Sequence, residues 1–269
     1  MYAREITEAS KSALLELGLA LKRHHNDMVL IGGWAPYFLT TGCFPHCGSI
    51  DIDLVLKSKI MPKYENIRHT VIGLGYEQEF PDENPFRFTR TLRSPADGKD
   101  YPIHLDFLCD IEGAKYATQF VQPDLEAFVF DGLDLAFDFN FEQDIRTTLP
   151  NHGEARTSVL VADLVGMIAL KGNAMDGRFK PKDPYDIFAL AHYGGGAQQA
   201  AAFFNTALSS KKLSPKNKAF LSHSLSVIRE KFRDSGQVGP FQVASFTEQK
   251  YARAVVAAQV KQFLEGLKY

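Results

Sequence analysis

The sequence predicts an α+β protein in which a sheet-forming N-terminal half precedes a mainly helical C-terminal half. In the first half, the segments IDIDLVLK, FRFTRTLR and IHLDFLCD alternate apolar and polar residues, which is typical of strands. From Ser158 onward, SVLVADLVGMIALKGNAM and four later segments place apolar residues at helical spacing instead. We therefore expect a domain of residues 1–154, with a mixed sheet flanked by helices, and a helical domain of residues 155–269, divided near Pro150–Arg156.

The elements of the first half can be assigned in order along the chain. Apolar residues recur every three or four positions from Ile6 to His25 and predict an amphipathic helix. MVLIGG predicts a short buried strand that ends at glycine, and WAPYFLTTG predicts a helix, because Pro36 falls in a first turn, where the N–H that proline lacks would be unpaired. A helix near Lys63–Gly73 follows, and then a hairpin of FRFTRTLR and IHLDFLCD across the turn-rich SPADGKD. Phe128–Phe141 is rich in aromatic residues and aspartate and is expected to add strands.

The composition is typical of a folded, soluble chain. Hydrophobic residues make up 45% of it and charged residues 23%, which argues against extensive disorder. No stretch approaches the ~20 apolar residues of a membrane span, and the N-terminal segment lacks the apolar run of a signal peptide, so we expect a cytoplasmic protein without membrane contact. The sparse cysteines fit reduced thiols. CFPHC contains zinc-ligand residue types, but no matching second pair occurs.

Positive charge is concentrated in one segment of the C-terminal half. The formal net charge of -2 argues against a generally basic surface for nucleic acid. Between Lys211 and Arg233, however, seven lysines and arginines are opposed only by Glu230. This segment is either a phosphate-binding surface or the solvated face of a helix.

Asp51 and Asp53 lie two residues apart in a predicted strand, so their side chains project from the same face. Two adjacent carboxylates repel each other unless a cation lies between them. Mg²⁺ prefers oxygen ligands and is commonly held by one or two carboxylates together with substrate phosphates, and two such ions about 4 Å apart bind both oxygens of a phosphoryl displacement. A third acid is expected on a neighbouring strand, where Asp106 is the first candidate and Asp110 the weaker one. An exposed strand face would explain isolated acids but not this set.

The residues before the paired aspartates are candidates for nucleotide binding. Gly32 and Gly33 allow a turn after which main-chain N–H groups at a helix start can meet a triphosphate. Ser49 faces the same side as Asp51, so its hydroxyl can donate to a phosphate oxygen. Trp34, the only tryptophan in the sequence, is either a core residue or a wall for the nucleotide.

These motifs together resemble a known family. GGWA at residues 32–35, then GSIDIDLVL with the paired aspartates, then Asp106, resembles the nucleotidyltransferase fold of DNA polymerase beta-like enzymes. LKGNAMDGRFKPKDPYDIFAL is similar to the second signature of the AbiEii-type group, in which a helical lysine precedes an Arg/Lys-rich turn and a Lys-Asp-x-x-Asp helix start. The resemblance covers the first half of the chain and the centre of the second half.

The resemblance implies roles for particular residues. Asp51 and Asp53 would bind Mg²⁺ or Mn²⁺, and Asp106 would complete the site and activate the acceptor hydroxyl. Lys171 would contact the triphosphate, with Asp183 or Asp186 lining the site from a helical domain that closes the nucleotide cleft. A lysine is a compact point charge and suits this role, although a surface lysine would also fit the pattern.

Two features complicate this assignment. Relatives often carry an arginine a few residues before the paired acids, whereas this chain has His46 and Cys47 there. In the second signature, the cations at Arg178, Lys180 and Lys182 have an alternative role, because they can form salt bridges with the nearby aspartates.

The expected function is metal-dependent transfer of a nucleoside monophosphate from an NTP to an acceptor hydroxyl. By resemblance to AbiEii-like toxins, the acceptor is RNA, notably a tRNA end reached through Lys211–Arg233, and a cognate antitoxin would be a partner. The first alternative is a small-molecule nucleotidyltransferase, because the same motifs are similar to those of aminoglycoside and lincosamide nucleotidyltransferases. The second alternative is a non-catalytic nucleotide-binding module.

Overall fold

The computed structural model of the protein describes residues 3–58, 66–78, 83–94, 96–110, 118–151 and 153–269. The chain divides into two compact units. One, which we name the sheet unit, comprises Tyr2–Ala35 and Cys47–Ala162. The other, the helical unit, comprises Pro36–His46 and Asp163–Tyr269. The division falls within helix α2 (Trp34–Leu39).

Over its described residues, the sheet unit forms one eight-stranded sheet. The strands are β1 (Met28–Leu30), β2 (Asp51–Leu56), β3 (Arg87–Arg93), β4 (Asp100–Cys109), β5 (Thr118–Gln122), β6 (Leu125–Val129), β7 (Asn140–Thr148) and β8 (Glu154–Ala162). Their order is β5-β6-β4-β2-β1-β8-β7, and β3 also pairs with β4. The pairs β2–β4, β4–β6 and β1–β8 are parallel and the others antiparallel. The sheet is therefore mixed, as the sequence predicts.

Helices of the sheet unit flank this sheet. They are α1 (Arg4–Ala20), a 3-10 segment (Lys22–Asp27), α3 (Ile67–Gly73) and α4 (Leu135–Asp138). Leu14 and Leu17 of α1 line the same apolar space as Leu54 of β2. Because side chains alternate along a strand, Asp51 and Asp53 project from the face of β2 opposite to α1.

The helical unit contains the remaining helices of the described chain. They are α5 (Leu164–Gly177), α6 (Lys182–Leu190), a 3-10 turn (Tyr193–Gly195), α7 (Ala197–Ser209), α8 (Pro215–Lys231), α9 (Val238–Phe246) and α10 (Arg253–Glu265). Helix α5 packs closely on α8 at Gly172, where an added Cβ would lie 2.7 Å from the carbonyl oxygen of Ser224. A residue larger than glycine would hold these two helices apart.

The sequence predictions hold for most elements but fail in the segment Ser158–Ala162. That segment was expected to begin a helix, yet it completes strand β8, and α5 begins only at Leu164. The side chain of Asp163 accepts hydrogen bonds from the backbone N–H groups of Val165 and Gly166, so it caps the helix and fixes this start. Valine and leucine in SVLVA suit a buried strand as well as a helix, and periodicity alone does not separate the two.

Three further outcomes concern individual elements. Helix α9 lies in a segment for which no element was predicted, and α4 lies within Phe128–Phe141, where strands were expected. The start of the helix predicted near Lys63 lies outside the described residues. No helix in the described part of the chain is long and apolar enough to cross a membrane.

Candidate active site

A row of charged side chains crosses three strands of the sheet unit. Asp53 of β2 lies opposite Asp106 of β4 in the parallel register, and Asp106 lies opposite Arg87 of β3 in the antiparallel register. Residues paired directly across strands project to the same face of the sheet. The three side chains therefore form one row, which we name the acid row.

A second row lies one pleat away on the same face. Asp51 is paired with His104, and His104 is paired with Thr89. The Thr89 hydroxyl and His104 Nδ1 are 3.0 Å apart, in hydrogen-bonding distance. Asp51 and Asp53, the predicted pair, therefore lie on the same face of the sheet as Asp106, the predicted third acid.

Arg87 and Asp106 form a bidentate ion pair. Arg87 Nε donates to Oδ1 of Asp106 at 2.7 Å and Nη2 to Oδ2 at 2.6 Å. The carboxylate is buried, whereas the arginine side chain is 37% exposed. The hydrogen bond to Asp106, together with the charges of Asp106, Asp51 and Asp53, raises the pKa of Arg87 against the effect of burial. The guanidinium is therefore within the field of all three carboxylates.

Gly32 makes room for the carboxylate of Asp53. The residue has a φ of +70°, and a Cβ built there would lie 1.8 Å from Asp53 Oδ2. Any side chain at this position would collide with the carboxylate and would also adopt a strained left-handed conformation. The glycine turn thus leaves space for one of the paired acids, and its admission of phosphate through main-chain N–H groups stays a prediction.

The other predicted nucleotide-binding residues are more deeply placed. Gly33 and Ser49 are buried. Trp34 is 0% exposed, and its indole N–H donates to the Ser10 hydroxyl at 3.2 Å. Trp34 is therefore a core residue, which is one of the two roles that the sequence allows. Contacts of Gly33, Trp34 and Ser49 with a nucleotide stay predictions.

Arg87 and His104 are residues of this face that the sequence analysis did not single out. His104 lies two residues before Asp106, so strand alternation already places both side chains on one face. Arg87 lies in the predicted strand FRFTRTLR, but its pairing depends on the hairpin register. Asp110, the weaker candidate for the third acid, lies beyond the end of β4 and accepts a hydrogen bond from the backbone N–H of Asp134.

The donor chemistry of the paired acids fits a divalent cation. Among the residues that the structure describes, no three His, Cys, Asp or Glu side chains lie close enough together to hold a metal ion. Asp51 and Asp53 nevertheless offer hard carboxylate oxygens from one face, and Mg²⁺ needs only one or two carboxylates when phosphates complete its coordination. Asp53 has its place against Gly32, while Asp106 is bound to Arg87. Mg²⁺ or Mn²⁺ would thus be held by Asp51 and Asp53 in the first instance.

The second predicted group forms a buried charge network within the helical unit. Lys171 Nζ donates to Asp183 Oδ1 at 2.9 Å and lies 2.6 Å from Asp186 Oδ2. Arg178 donates to both oxygens of Asp183 at 2.8 and 3.0 Å. Lys182 Nζ lies 3.2 Å from Asp186 Oδ1. The salt bridges that were the alternative role for Arg178 and Lys182 are present, and the predicted contact of Lys171 with a triphosphate stays a prediction.

Charge compensation keeps the buried carboxylates ionised. Burial alone would raise the pKa of Asp183 and Asp186, but Lys171, together with Arg178 at Asp183 and with Lys182 and His46 at Asp186, outweighs it. The pKa of each aspartate is therefore held below its usual range. Burial would lower the pKa of Lys171, yet the two carboxylates raise it above its usual value. All three groups are charged at neutral pH.

His46 joins this network as a neutral partner. Its Nε2 lies 2.9 Å from Asp186 Oδ1, and burial, opposed by this hydrogen bond, lowers its pKa to about 4. Because the carboxylate can only accept, the neutral ring carries its proton on Nε2 and donates it. His46, which stands where relatives often carry an arginine, therefore contributes a hydrogen bond and no charge at neutral pH.

The free energy of unfolding is expected to fall as the pH drops from 6.5 towards about 4. His46 is protonated in the unfolded chain near its ordinary pKa of 6.5 but in the folded protein only near 4, so the unfolded state binds more protons between these values. Asp183 and Asp186, with lowered pKa values, contribute stability that is present above their ordinary pKa of 3.8 and is lost as the pH falls further. Urea unfolding across this pH window measures the slope.

His46→Gln is the matched variant for this slope. Glutamine keeps an N–H donor for Asp186 but does not titrate. The free energy of unfolding of the variant is therefore expected to vary less than that of the parent between pH 6.5 and 4. Parallel curves for parent and variant would contradict the assignment of the slope to His46.

The basic segment Lys211–Arg233 covers α8 and its flanks. Five of its seven cations are exposed, namely Lys211, Lys212, Lys218, Arg229 and Arg233. Lys218 and Arg229 lie about three helical turns apart and so share one side of α8. Arg233 Nε lies 3.4 Å from Asp234. The segment thus presents positive charge at the surface, which is compatible with either of its two interpretations.

Comparisons with known proteins add little to this description. Neither profiles of known protein families nor curated protein sequences gave a match. Among solved structures, the crystal structure of JHP933 from Helicobacter pylori is similar over 98% of this chain and 95% of its own, with 14% identity and a TM-score of 0.43. This likeness is too weak to support a conclusion about fold or function. The assignment of the sheet unit to the nucleotidyltransferase fold therefore stays a prediction.

Proposed function

We propose that the protein is a metal-dependent nucleotidyltransferase that moves a nucleoside monophosphate from an NTP to an acceptor hydroxyl. The observation that carries the proposal is the register of β2 and β4, which sets Asp53 opposite Asp106 with Asp51 on the same face. Asp51 and Asp53 lie on one face of β2, beside Asp106 of β4 and with Gly32 shaped around Asp53, and the paired carboxylates repel each other unless a cation lies between them. The resemblance of the GGWA and IDIDLVL motifs to polymerase beta-like enzymes supports the same function.

In the proposed reaction, the acceptor oxygen forms a bond to the α-phosphorus of the NTP and the bond to the pyrophosphate oxygen breaks. Asp51 and Asp53 would hold Mg²⁺ or Mn²⁺, which would neutralise phosphate charge there. Asp106 takes the proton of the acceptor hydroxyl. Lys171, a member of the buried network, keeps its predicted contact with the triphosphate as part of the proposal.

The acceptor that we propose is RNA. The exposed cations of Lys211–Arg233 can bind phosphates without regard to sequence. The AbiEii-type resemblance adds a role as a toxin with a cognate antitoxin, and a cytoplasmic location. A small-molecule acceptor, or nucleotide binding without turnover, would be an outcome of the test below.

Label transfer from each α-labelled NTP to total RNA in the presence of Mg²⁺ tests the proposal. The parent is expected to label a discrete RNA band, and Asp53→Asn to lose at least about a hundredfold of this activity, because it removes a carboxylate ligand of the cation that would neutralise the reacting phosphate. Asp100→Asn is the control, since Asp100 lies on the neighbouring strand β4, six residues before Asp106, and its side chain is 55% exposed. Metal-independent labelling, or equal labelling by Asp53→Asn, would contradict the mechanism. Labelling of small molecules in place of RNA would correct only the acceptor.

A further inference from the structure

We propose that Arg87 is an exchangeable counter-ion of the acid row, which binds Asp106 in the cation-free protein and transfers to the triphosphate when cation and nucleotide bind together. This inference rests on the proposed function and adds a regulation of its site. Binding of the cation alone would then be weak, and binding of the cation–nucleotide complex would be favoured.

Arg87 binds Asp106 through both of its carboxylate oxygens. Both carboxylate oxygens accept from the guanidinium, at 2.7 and 2.6 Å. A bidentate pair between arginine and a buried carboxylate is among the stronger ionic contacts in proteins. Asp106 is thus bound to an internal cation, and a second cation on its oxygens would face the positive charge of Arg87.

The position of Arg87 allows an exchange. Its side chain is 37% exposed and stands at the β3 end of the acid row, whereas Asp106 is buried between β3 and β2. The long arginine side chain can therefore turn away while the carboxylate stays in place. A half-buried guanidinium that leaves a carboxylate needs another anion, because an unpaired charge there is costly.

A triphosphate supplies that anion. Arginine binds phosphate oxygens in the same forked manner as carboxylate oxygens. Arg87 also opposes negative charge in both states: it opposes the carboxylates when no cation is bound, and it opposes phosphate charge when a cation has taken over the carboxylates. Arg87 would thereby couple the binding of cation and nucleotide.

The hairpin provides a matched control pair. Arg93 and Asp100 are paired across β3 and β4 in the same manner, with Nε of Arg93 3.1 Å from Oδ1 of Asp100. Their side chains are 68% and 55% exposed, and Asp100 is six residues from the acid row. Arg93→Gln therefore removes the same kind of ion pair from the same strands without changing the site.

The experiment measures Mn²⁺ binding by electron paramagnetic resonance for the parent, Arg87→Gln and Arg93→Gln. Arg87→Gln is expected to bind Mn²⁺ alone at least about tenfold more tightly, because it removes a positive charge next to the carboxylates. The same variant is expected to bind a non-hydrolysable NTP analogue with Mg²⁺ at least about tenfold more weakly, since it has lost a phosphate ligand. Arg93→Gln is expected to match the parent in both measurements.

Arg87→Lys guards against misfolding of the glutamine variant. Lysine keeps the charge but cannot bind both oxygens of Asp106 in a fork, so it holds this carboxylate less firmly and yields it more readily to Mn²⁺; both affinities should shift in the same directions by smaller factors. Unchanged or weaker Mn²⁺ binding in the folded Arg87 variants would overturn the exchange while leaving the proposed function intact. Absence of Mn²⁺ binding in the parent and in Arg87→Gln would overturn both.

Discussion

Replacing Lys171 with methionine is expected to lower the free energy of unfolding by about 3–5 kcal/mol. The ammonium is the cation shared by Asp183 and Asp186, at 2.9 and 2.6 Å, and all three side chains are at least nine-tenths buried. Without it, two buried carboxylates repel each other across the space that it filled. Methionine preserves most of the side-chain volume, so the loss reports charge more than packing. Urea unfolding at neutral pH measures the change.

Lys261→Met is the control for this substitution. Lys261 lies on α10, 3.8 Å from Glu265, and its side chain is 61% exposed. Surface substitutions of this kind usually change stability by no more than about 0.5 kcal/mol. A Lys171→Met protein as stable as Lys261→Met would show that the network contributes little to the stability of the helical unit.

Lys171→Met is also expected to change the pKa of His46. The charge of Lys171 is one of the influences that lower the pKa of this histidine. Its removal is therefore expected to raise the pKa of His46 above about 4, which a histidine titration by NMR would detect. A structural lysine and a triphosphate ligand both predict lost activity, but only the network predicts this shift in the pKa together with the lost stability.

Much of the sheet unit could be predicted because local patterns determined it. Strand β2 alternates acids with apolar residues, so the face of each side chain could be predicted. MVLIGG ends in glycine, so the end of β1 could be predicted too. The helix predicted for Ser158–Ala162 is wrong, because the apolar residues of this segment suit a buried strand and a helix equally. Asp163, which caps α5, is the local signal in the sequence that marks the boundary between β8 and this helix.

The candidate site divides in the same way. The alternation of side chains along a strand predicted the face from which Asp51, Asp53 and Asp106 project, because this alternation does not depend on which strands are paired. The pairing of Arg87 with Asp106 could not be predicted, because it depends on which residues of two strands lie opposite each other. The place of Asp53 against Gly32 depends on a contact between residues that are distant in sequence. Short-range sequence patterns thus predict the three acids, but not the contacts of Arg87 with Asp106 and of Gly32 with Asp53.

Gly32→Ala is expected to destabilise the protein by about 2–5 kcal/mol and to displace the carboxylate of Asp53. A left-handed conformation costs an alanine about 1–2 kcal/mol, and forcing a methyl group into filled space adds about 1–3 kcal/mol. The space is filled here, since the added Cβ would lie 1.8 Å from Asp53 Oδ2. Denaturant unfolding measures the stability, and Mn²⁺ binding reports the position of the carboxylate.

Gly98→Ala separates the two causes. Gly98 also lies in the sheet unit and has a φ of +69°, but nothing lies within 4 Å of its added Cβ. Its substitution therefore carries the backbone cost alone, and both variants lose the same glycine freedom in the unfolded chain. The excess loss in Gly32→Ala measures the collision with Asp53. Equal losses would mean that Asp53 moves aside freely, and the glycine would then be required by the turn and not by the acid.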